Sequence, residues 1–343
     1  MRKSLKLFLV LFALSILYLQ GCSRDELTGP GTVIVTARGV YVLSEGNGTS
    51  SSVALSYYNI TDSSFTQNIL SQNVGSYPDG LIASGNDLYM TAQGNFGSAG
   101  KIYKLDQTGN VQASNDVGTN PYSLTEASGK LYVTNGPASN VSVVDKSTLN
   151  TTNTIPVGSY PQEIITYGTK VYVCNTSAFG GSDDSTVSVI DSQNDVVVAV
   201  INVQKDPSAL ALSNDGKLLI GCPGTNKYIY KVDPNSYAKL DSFLIPDGCY
   251  RDISVDKTSD NIYFISGSFP SFRVLRLNLS TRALTEIMSV GNNYYGLVFD
   301  SVTGDLFVAI VPDFTNSGKL RVLSGGIATD YTTGVAPRRL LIK

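Results

Sequence analysis

One pattern recurs seven times along the chain, at intervals of 40 to 46 residues, and it limits the available folds more than any single residue does. A copy contains an apolar strand ending in a small or polar residue, such as Leu131-Tyr132-Val133-Thr134-Asn135. A turn rich in Gly, Ser and Asn follows, then a second apolar strand such as Val141-Ser142-Val143-Val144-Asp145. A third strand often ends in Val-Gly, as at Val157-Gly158, and the unit closes on a Pro-x-x-aliphatic step such as Pro161-Gln162-Glu163-Ile164. That step falls at Pro78, Pro121, Pro161, Pro207, Tyr250, Tyr294 and Pro337, where each innermost strand begins. Four short strands per unit at this period predict a β-propeller. A single small sheet cannot bury both faces, whereas seven packed radially cover one another.

Counted outward from the axis, the second strands contain Tyr41, Tyr89, Tyr132, Tyr172, Leu219, Tyr263 and Phe307. The repeat opens on a second strand and ends on an innermost one. Pro337 to Lys343 is therefore expected to complete the blade begun by residues 39–74, which removes the free edges of an open sheet. The expected fold class is all-β: a seven-bladed propeller over residues 32–343, closed by N- and C-terminal strands sharing one blade. Residues 32–37 read as a short strand without a place in the register.

The wording of the repeat resembles a known family. Tyr132-Val133-Thr134-Asn135 is the motif of the YVTN β-propeller repeat, and Tyr172-Val173-Cys174-Asn175 is a near copy. The associated Val-Gly-x-x-Pro step appears at Val74–Pro78, Val117–Pro121 and Val157–Pro161. The resemblance covers roughly residues 39–343 and weakens in the last three units, where Tyr250 and Tyr294 replace Pro. It implies the fold; function does not follow, because propellers host binding proteins and enzymes alike.

The first 21 residues read as a signal peptide, with Arg2, Lys3 and Lys6 ahead of the apolar stretch Leu5–Leu19. Leu19-Gln20-Gly21-Cys22 resembles a bacterial lipobox, which implies lipidation of Cys22 and a tether over residues 22–31. An ordinary signal peptide containing a cysteine is the alternative. Ser23-Arg24-Asp25-Glu26 resembles the surface-export signal of Bacteroidetes lipoproteins, implying an outer-membrane, surface-exposed address. Without the signal peptide 22 basic residues face 28 acidic ones, a net charge of −6, and no basic run exists to neutralise phosphates. Nucleic acid is thus not an expected partner. Of the remaining cysteines, Cys222 and Cys249 form the candidate disulfide, with Cys174 left over; a buried free thiol is the alternative for each.

The chain contains no histidine. Imidazole bases, Ser-His-Asp triads and imidazole metal ligands are thereby excluded, while a carboxylate-only mechanism remains open. Asp183-Asp184 sits in a Gly/Ser-rich turn and reads as solvated, and no calcium-loop spacing occurs, so neither a cofactor nor a metal is expected.

The positive signal is geometric. Turns joining second to third strands share one propeller face with turns joining consecutive blades. The first set carries Phe96, Phe179, Phe269 and Phe314; the second carries Tyr77, Tyr160, Tyr250, Tyr294 and Tyr295, with Tyr122 just inside its strand. Turn chemistry favours Gly, Asn, Asp and Ser, so this many aromatics suggests a recognition surface. Packing between blades is the competing explanation. Positions one residue past the Pro-like step, Asp79, Tyr122, Gln162, Ser208, Arg251, Tyr295 and Arg338, are expected to ring the channel mouth. Such a mixed ring suits an uncharged or zwitterionic polar ligand, a small molecule or a glycan.

The expected function is non-enzymatic binding on this face. Val40 to Asn47, with the lipobox and acidic tether, resembles envelope propellers of Bacteroidetes, one group of which captures cobalamin for an outer-membrane transporter. An envelope or adhesion scaffold and a lactonase or lyase using carboxylates with Arg251 or Arg338 are the alternatives.

Overall fold

The computed structural model describes residues 38–178, 181, 183–224 and 226–343. Seven four-stranded antiparallel sheets form the seven-bladed propeller expected from the repeat. Blade 1 takes its innermost strand from the C-terminus: Pro337–Ile342 pairs with Gly39–Ser44, followed outward by Ala54–Asn59 and Phe65–Thr66. Blades 2 to 7 have innermost strands Pro78–Ser84, Pro121–Ala127, Pro161–Tyr167, Ala209–Leu212, Cys249–Val255 and Tyr294–Asp300. Ring closure by strand exchange is thus present. Residues 1–21, Cys22 and residues 32–37 lie outside the described residues.

Second strands are buried on both faces, which is why they read as continuous apolar runs rather than alternating ones. Alternation decides which neighbour each side chain meets. Leu131 and Val133 of blade 3 pack with Tyr89 and Ile102 of blade 2, while Tyr132 turns to Val171 and Val173 of blade 4. Fourth strands are mostly solvent-exposed, as at Thr151–Pro156.

The Tyr-Val-Thr-Asn motif is a set of latches. The hydroxyl of Tyr132 donates to Ser192 O at 3.1 Å and to Asp195 in the next blade; Tyr172 donates to Pro234 O at 2.6 Å, and Tyr41 to Gln107 O at 2.9 Å. Thr134 Oγ1 accepts from Ser123 N and donates to Gln162 O of blade 4 at 2.8 Å. Asn135 Nδ2 pins the third strand through Asn140 and Ser142.

The candidate disulfide is a correction. Cys174, Cys222 and Cys249 are all buried free thiols. Cys222 packs with Cys174 and Tyr172 on the blade 4 side of the blade 5 sheet, whereas Cys249 packs with Leu219 and Phe264 on its blade 6 side. Two side chains on opposite faces of one sheet cannot bridge without rebuilding it.

Candidate functional site

A local irregularity repeated in most blades builds the site. The innermost strands are bulged near their starts, between Pro78 and Leu81, Pro121 and Leu124, Pro161 and Ile164, and Tyr294 and Gly296. A bulge leaves a residue unpaired and re-aims its side chain; here Asp79, Tyr122, Gln162 and Tyr295 are delivered to the channel mouth. The residue before the step is left-handed: φ is 51° at Tyr77, 45° at Asn120, 39° at Tyr160, 58° at Asp206 and 52° at Ala336. Gly or Asn takes this conformation readily, and a bulky ring there is an outlier whose cost is offset elsewhere.

All seven expected ring positions line one cavity of about 450 Å³, together with Tyr77 and Tyr250. The register of blade 6 differs by one from the sequence expectation: Cys249 pairs with Ser266 as Pro121 pairs with Asn135, so Tyr250 occupies the ring position and Arg251 follows it. Both reach the cavity.

The turn aromatics divide. Tyr77, Tyr122, Tyr250 and Tyr295 wall the cavity. Phe314 contacts Tyr295 edge to face at 5.6 Å but stands outside the lining. Phe96 and Phe269 are exposed, 77% and 66%, and likewise do not line it. Tyr160 accepts a hydrogen bond from Thr176 Oγ1 at its carbonyl, its ring lies beside Gly136, and it too is set apart from the cavity. Tyr294 is 2% exposed, a correction with a simple cause: it takes the Pro position, whose side chain packs inward, and its hydroxyl donates to Ser289 O. Phe179 lies outside the described residues.

Sequence reasoning missed a second ring. Glu45, Gln93 and Thr176 follow the strand-end positions Ser44, Ala92 and Asn175, and Pro223 lies two residues past Gly221, the end of its strand; all four line the same cavity. The repeat register alone would have found them. Asp206 and Ser177 complete the wall; Ser177 N donates to Asp206 Oδ1 at 2.7 Å.

Two of the ring residues, Asp79 and Arg338, belong to an ion-pair web across the channel. Arg338 is 1% exposed and bonds Glu163 at 3.0 Å and Asp252 at 3.2 Å, with Asp79 at 3.6 Å. Arg339 reaches Glu163 at 2.8 Å and Asp79 at 2.9 Å. Asp79 and Arg338 face the cavity, while Glu163, Asp252 and Arg339 line a recess with Ala209 and Leu340. Burial opposes the charge of Arg338, but Asp252 and Asp79 more than offset it and hold its pKa well above the ordinary value.

Glu45 is set differently. Burial first, then the charge of Asp79, push its carboxyl up to about 7 against the pull of Arg338 and Arg251. Tyr295 Oη donates to Glu45 Oε2 at 3.4 Å, and burial followed by the Glu45 charge raises Tyr295 to about 12. Among the described residues no group of three ligating side chains is placed to hold a metal ion.

Fold and site together define a seven-bladed β-propeller with a polar, tyrosine-walled cavity at one channel mouth. The chain belongs to the family described as Domain of unknown function (DUF5074), whose model matches residues 38–324. Among solved structures it is similar to Kuenenia stuttgartiensis hydrazine synthase, with 18% identity and a TM-score of 0.63 over 74% of this chain and 79% of that one. A protein from Lactobacillus plantarum is similar at 17% identity, with a TM-score of 0.62 over 89% and 99% of the two chains. At such identities the likeness is one of fold alone. A comparison with curated proteins finds no match.

Proposed function

We propose that this protein is a non-enzymatic, lipid-anchored binding propeller of the cell envelope that holds a small molecule, or one end of a larger one, in the channel-mouth cavity. The observation that carries this is the convergence of all seven ring positions on one cavity of about 450 Å³. That size falls within the range of small-molecule sites, roughly 300–1,000 Å³, and the wall sets four tyrosine rings among a majority of polar and charged side chains, which suits a ligand with several hydrogen-bonding groups. A scaffold has no use for four tyrosines around a concavity, least of all for Tyr77 in a left-handed conformation and 41% exposed. Nutrient capture for an outer-membrane transporter, of a cobalamin or a glycan, is the biological setting that the lipobox at Cys22 and the opening Val40–Asn47 suggest.

Thermal-shift screening against cobalamin, glycans and other nutrients tests the binding role. A true ligand should lose more than tenfold in affinity when Tyr77, Tyr122 and Tyr250 are all replaced by Ala, since each ring contributes about 0.5–1.5 kcal/mol beyond its area. Affinity unchanged in that variant refutes it. Lipid anchoring predicts that Cys22→Ser moves the protein to the soluble fraction; continued partitioning with membranes refutes it.

One observation favours a second reading. A carboxyl with a pKa near 7, in a cavity beside Arg251, has the properties of a general acid or base. A lyase or lactonase would lose its turnover on Glu45→Gln, whereas a binder would keep its ligand.

A further inference from the structure

The guanidinium groups at the channel differ in what they are given to bond. Arg338 and Arg339 divide Asp79, Glu163 and Asp252 between them. Arg251 lines the cavity and, among the described residues, forms no ion pair; its side-chain hydrogen bond goes to Tyr250 Oη at 3.1 Å. Its other close contacts are ring faces, with the guanidinium carbon 4.1 Å from the centroid of Tyr295 and 4.7 Å from that of Tyr250. A ring face attracts the cation but supplies no in-plane acceptor oxygen. Arg251 Nη1 is buried and has no hydrogen-bond acceptor.

A buried, charged donor without an acceptor is costly, and native structures contain few of them. The nearby Glu45 does not supply the missing acceptor: no hydrogen bond or ion pair joins it to Arg251, whose Nη1 stays without a partner among the described residues, and Glu45 Oε2 takes the Tyr295 hydroxyl instead. The bulge does not itself require an arginine: Ser123, two residues past Pro121 as Arg251 is two past Cys249, is a small neutral side chain in blade 3. The fork of a guanidinium matches a two-oxygen anion in shape as well as charge.

We propose that Arg251 is the recognition point for a small molecule carrying one oxyanion group, a carboxylate or a phosphate, whose flat or apolar body lies along Tyr122, Tyr250 and Tyr77. This rests on the binding role proposed above and narrows the ligand class. Asp79, Asp206 and Glu45 on the same wall select against a second negative group and leave room for a neutral or cationic one elsewhere on the ligand.

Benzoate, its neutral isostere benzamide and inorganic phosphate are the probes, each titrated into the protein with thermal shift and amide NMR as readouts. Benzoate should bind saturably at millimolar concentration, phosphate should compete with it, and benzamide should have no comparable effect. Arg251→Gln should weaken benzoate at least tenfold while the ligand-free melting temperature stays level or rises, because an unpaired buried cation has been removed. Arg251→Lys, which keeps the charge without the fork, should fall between. Arg321→Gln, in the exposed pair with Asp330, should leave benzoate binding as it was. Absence of a benzoate response, equal responses to benzoate and benzamide, or undiminished benzoate affinity in Arg251→Gln each overturns the oxyanion site. Neutral compounds that bind through the three tyrosines and ignore Arg251→Gln would overturn it while leaving the wider binding role standing.

Discussion

Replacing Arg338 by Met isolates the contribution of the channel web to the ring. The side chain is 1% exposed and faces three carboxylates, two of them within 3.2 Å and Asp79 at 3.6 Å. Methionine fills much of the volume, so the loss is mainly electrostatic: Asp79, Glu163 and Asp252 then share Arg339 alone. Breaking a buried pair by removing one partner costs about 3–5 kcal/mol, because a buried charge is left uncompensated. At about 2–4 °C per kcal/mol for a domain somewhat smaller than this one, the melting temperature should fall by roughly 10 °C. The cost should also depend on pH. With two arginines reduced to one, a surplus carboxylate in the variant takes up a proton more readily folded than unfolded. Folded chains then bind more protons than unfolded ones, and stability falls as pH rises. Thermal unfolding followed by circular dichroism at pH 5 and pH 8 should therefore show the larger penalty at pH 8. Adding Glu163→Gln should restore part of the loss, a coupling that a double-mutant cycle reads directly. A melting temperature within about 2 °C of wild type, set against the cost expected for a broken buried pair, would show that the web contributes little to stability. A penalty independent of pH and of Glu163 would show that packing rather than charge is at stake.

Deleting residues 337–343 should do more damage than Arg338→Met, since it removes the innermost strand of blade 1 and both arginines; a chain that still unfolds cooperatively at the wild-type temperature would show that another segment closes the ring. Glu45 has its pKa raised in the fold by burial and Asp79, against Arg338, Arg251 and the Tyr295 hydroxyl, so its contribution to stability is present below the ordinary carboxylate range and lost as pH rises toward 7. Glu45→Gln should flatten that slope between about pH 4.5 and 7, and an unchanged slope in chemical denaturation would refute the assignment. Tyr132→Phe should cost about 1–2 kcal/mol by breaking the latch to Asp195 and Ser192, measured by urea unfolding; no loss would show the latch to be idle. Titration of the denatured, unreduced protein should find Cys174, Cys222 and Cys249 all reactive, and two protected thiols would restore a bridge.

The sequence by itself determined the number of blades, the sharing of blade 1 between the termini and the positions that ring the channel mouth. Each of these depends on local chemistry repeated at a fixed period: apolar second strands buried on both faces, turn residues between them, and a step that starts every innermost strand. Periodicity also carried Glu45, Gln93, Thr176 and Pro223, although only the structure drew attention to them. Tertiary structure decided the rest. Tyr294 and Tyr295 are neighbours in the chain, yet one is core and the other cavity wall, because a bulge between Tyr294 and Gly296 sets their directions. Cys222 and Cys249 share one end of the molecule but lie on opposite faces of a sheet, an outcome of strand alternation and of a one-residue register difference in blade 6. The arginines read alike in sequence; what separates Arg338 from Arg251 is that Asp79, Glu163 and Asp252 converge from three other blades on the first and leave the second without a carboxylate. Charges contributed by residues so far apart along the chain meet only when the ring closes, and no local pattern records which of them will be left over.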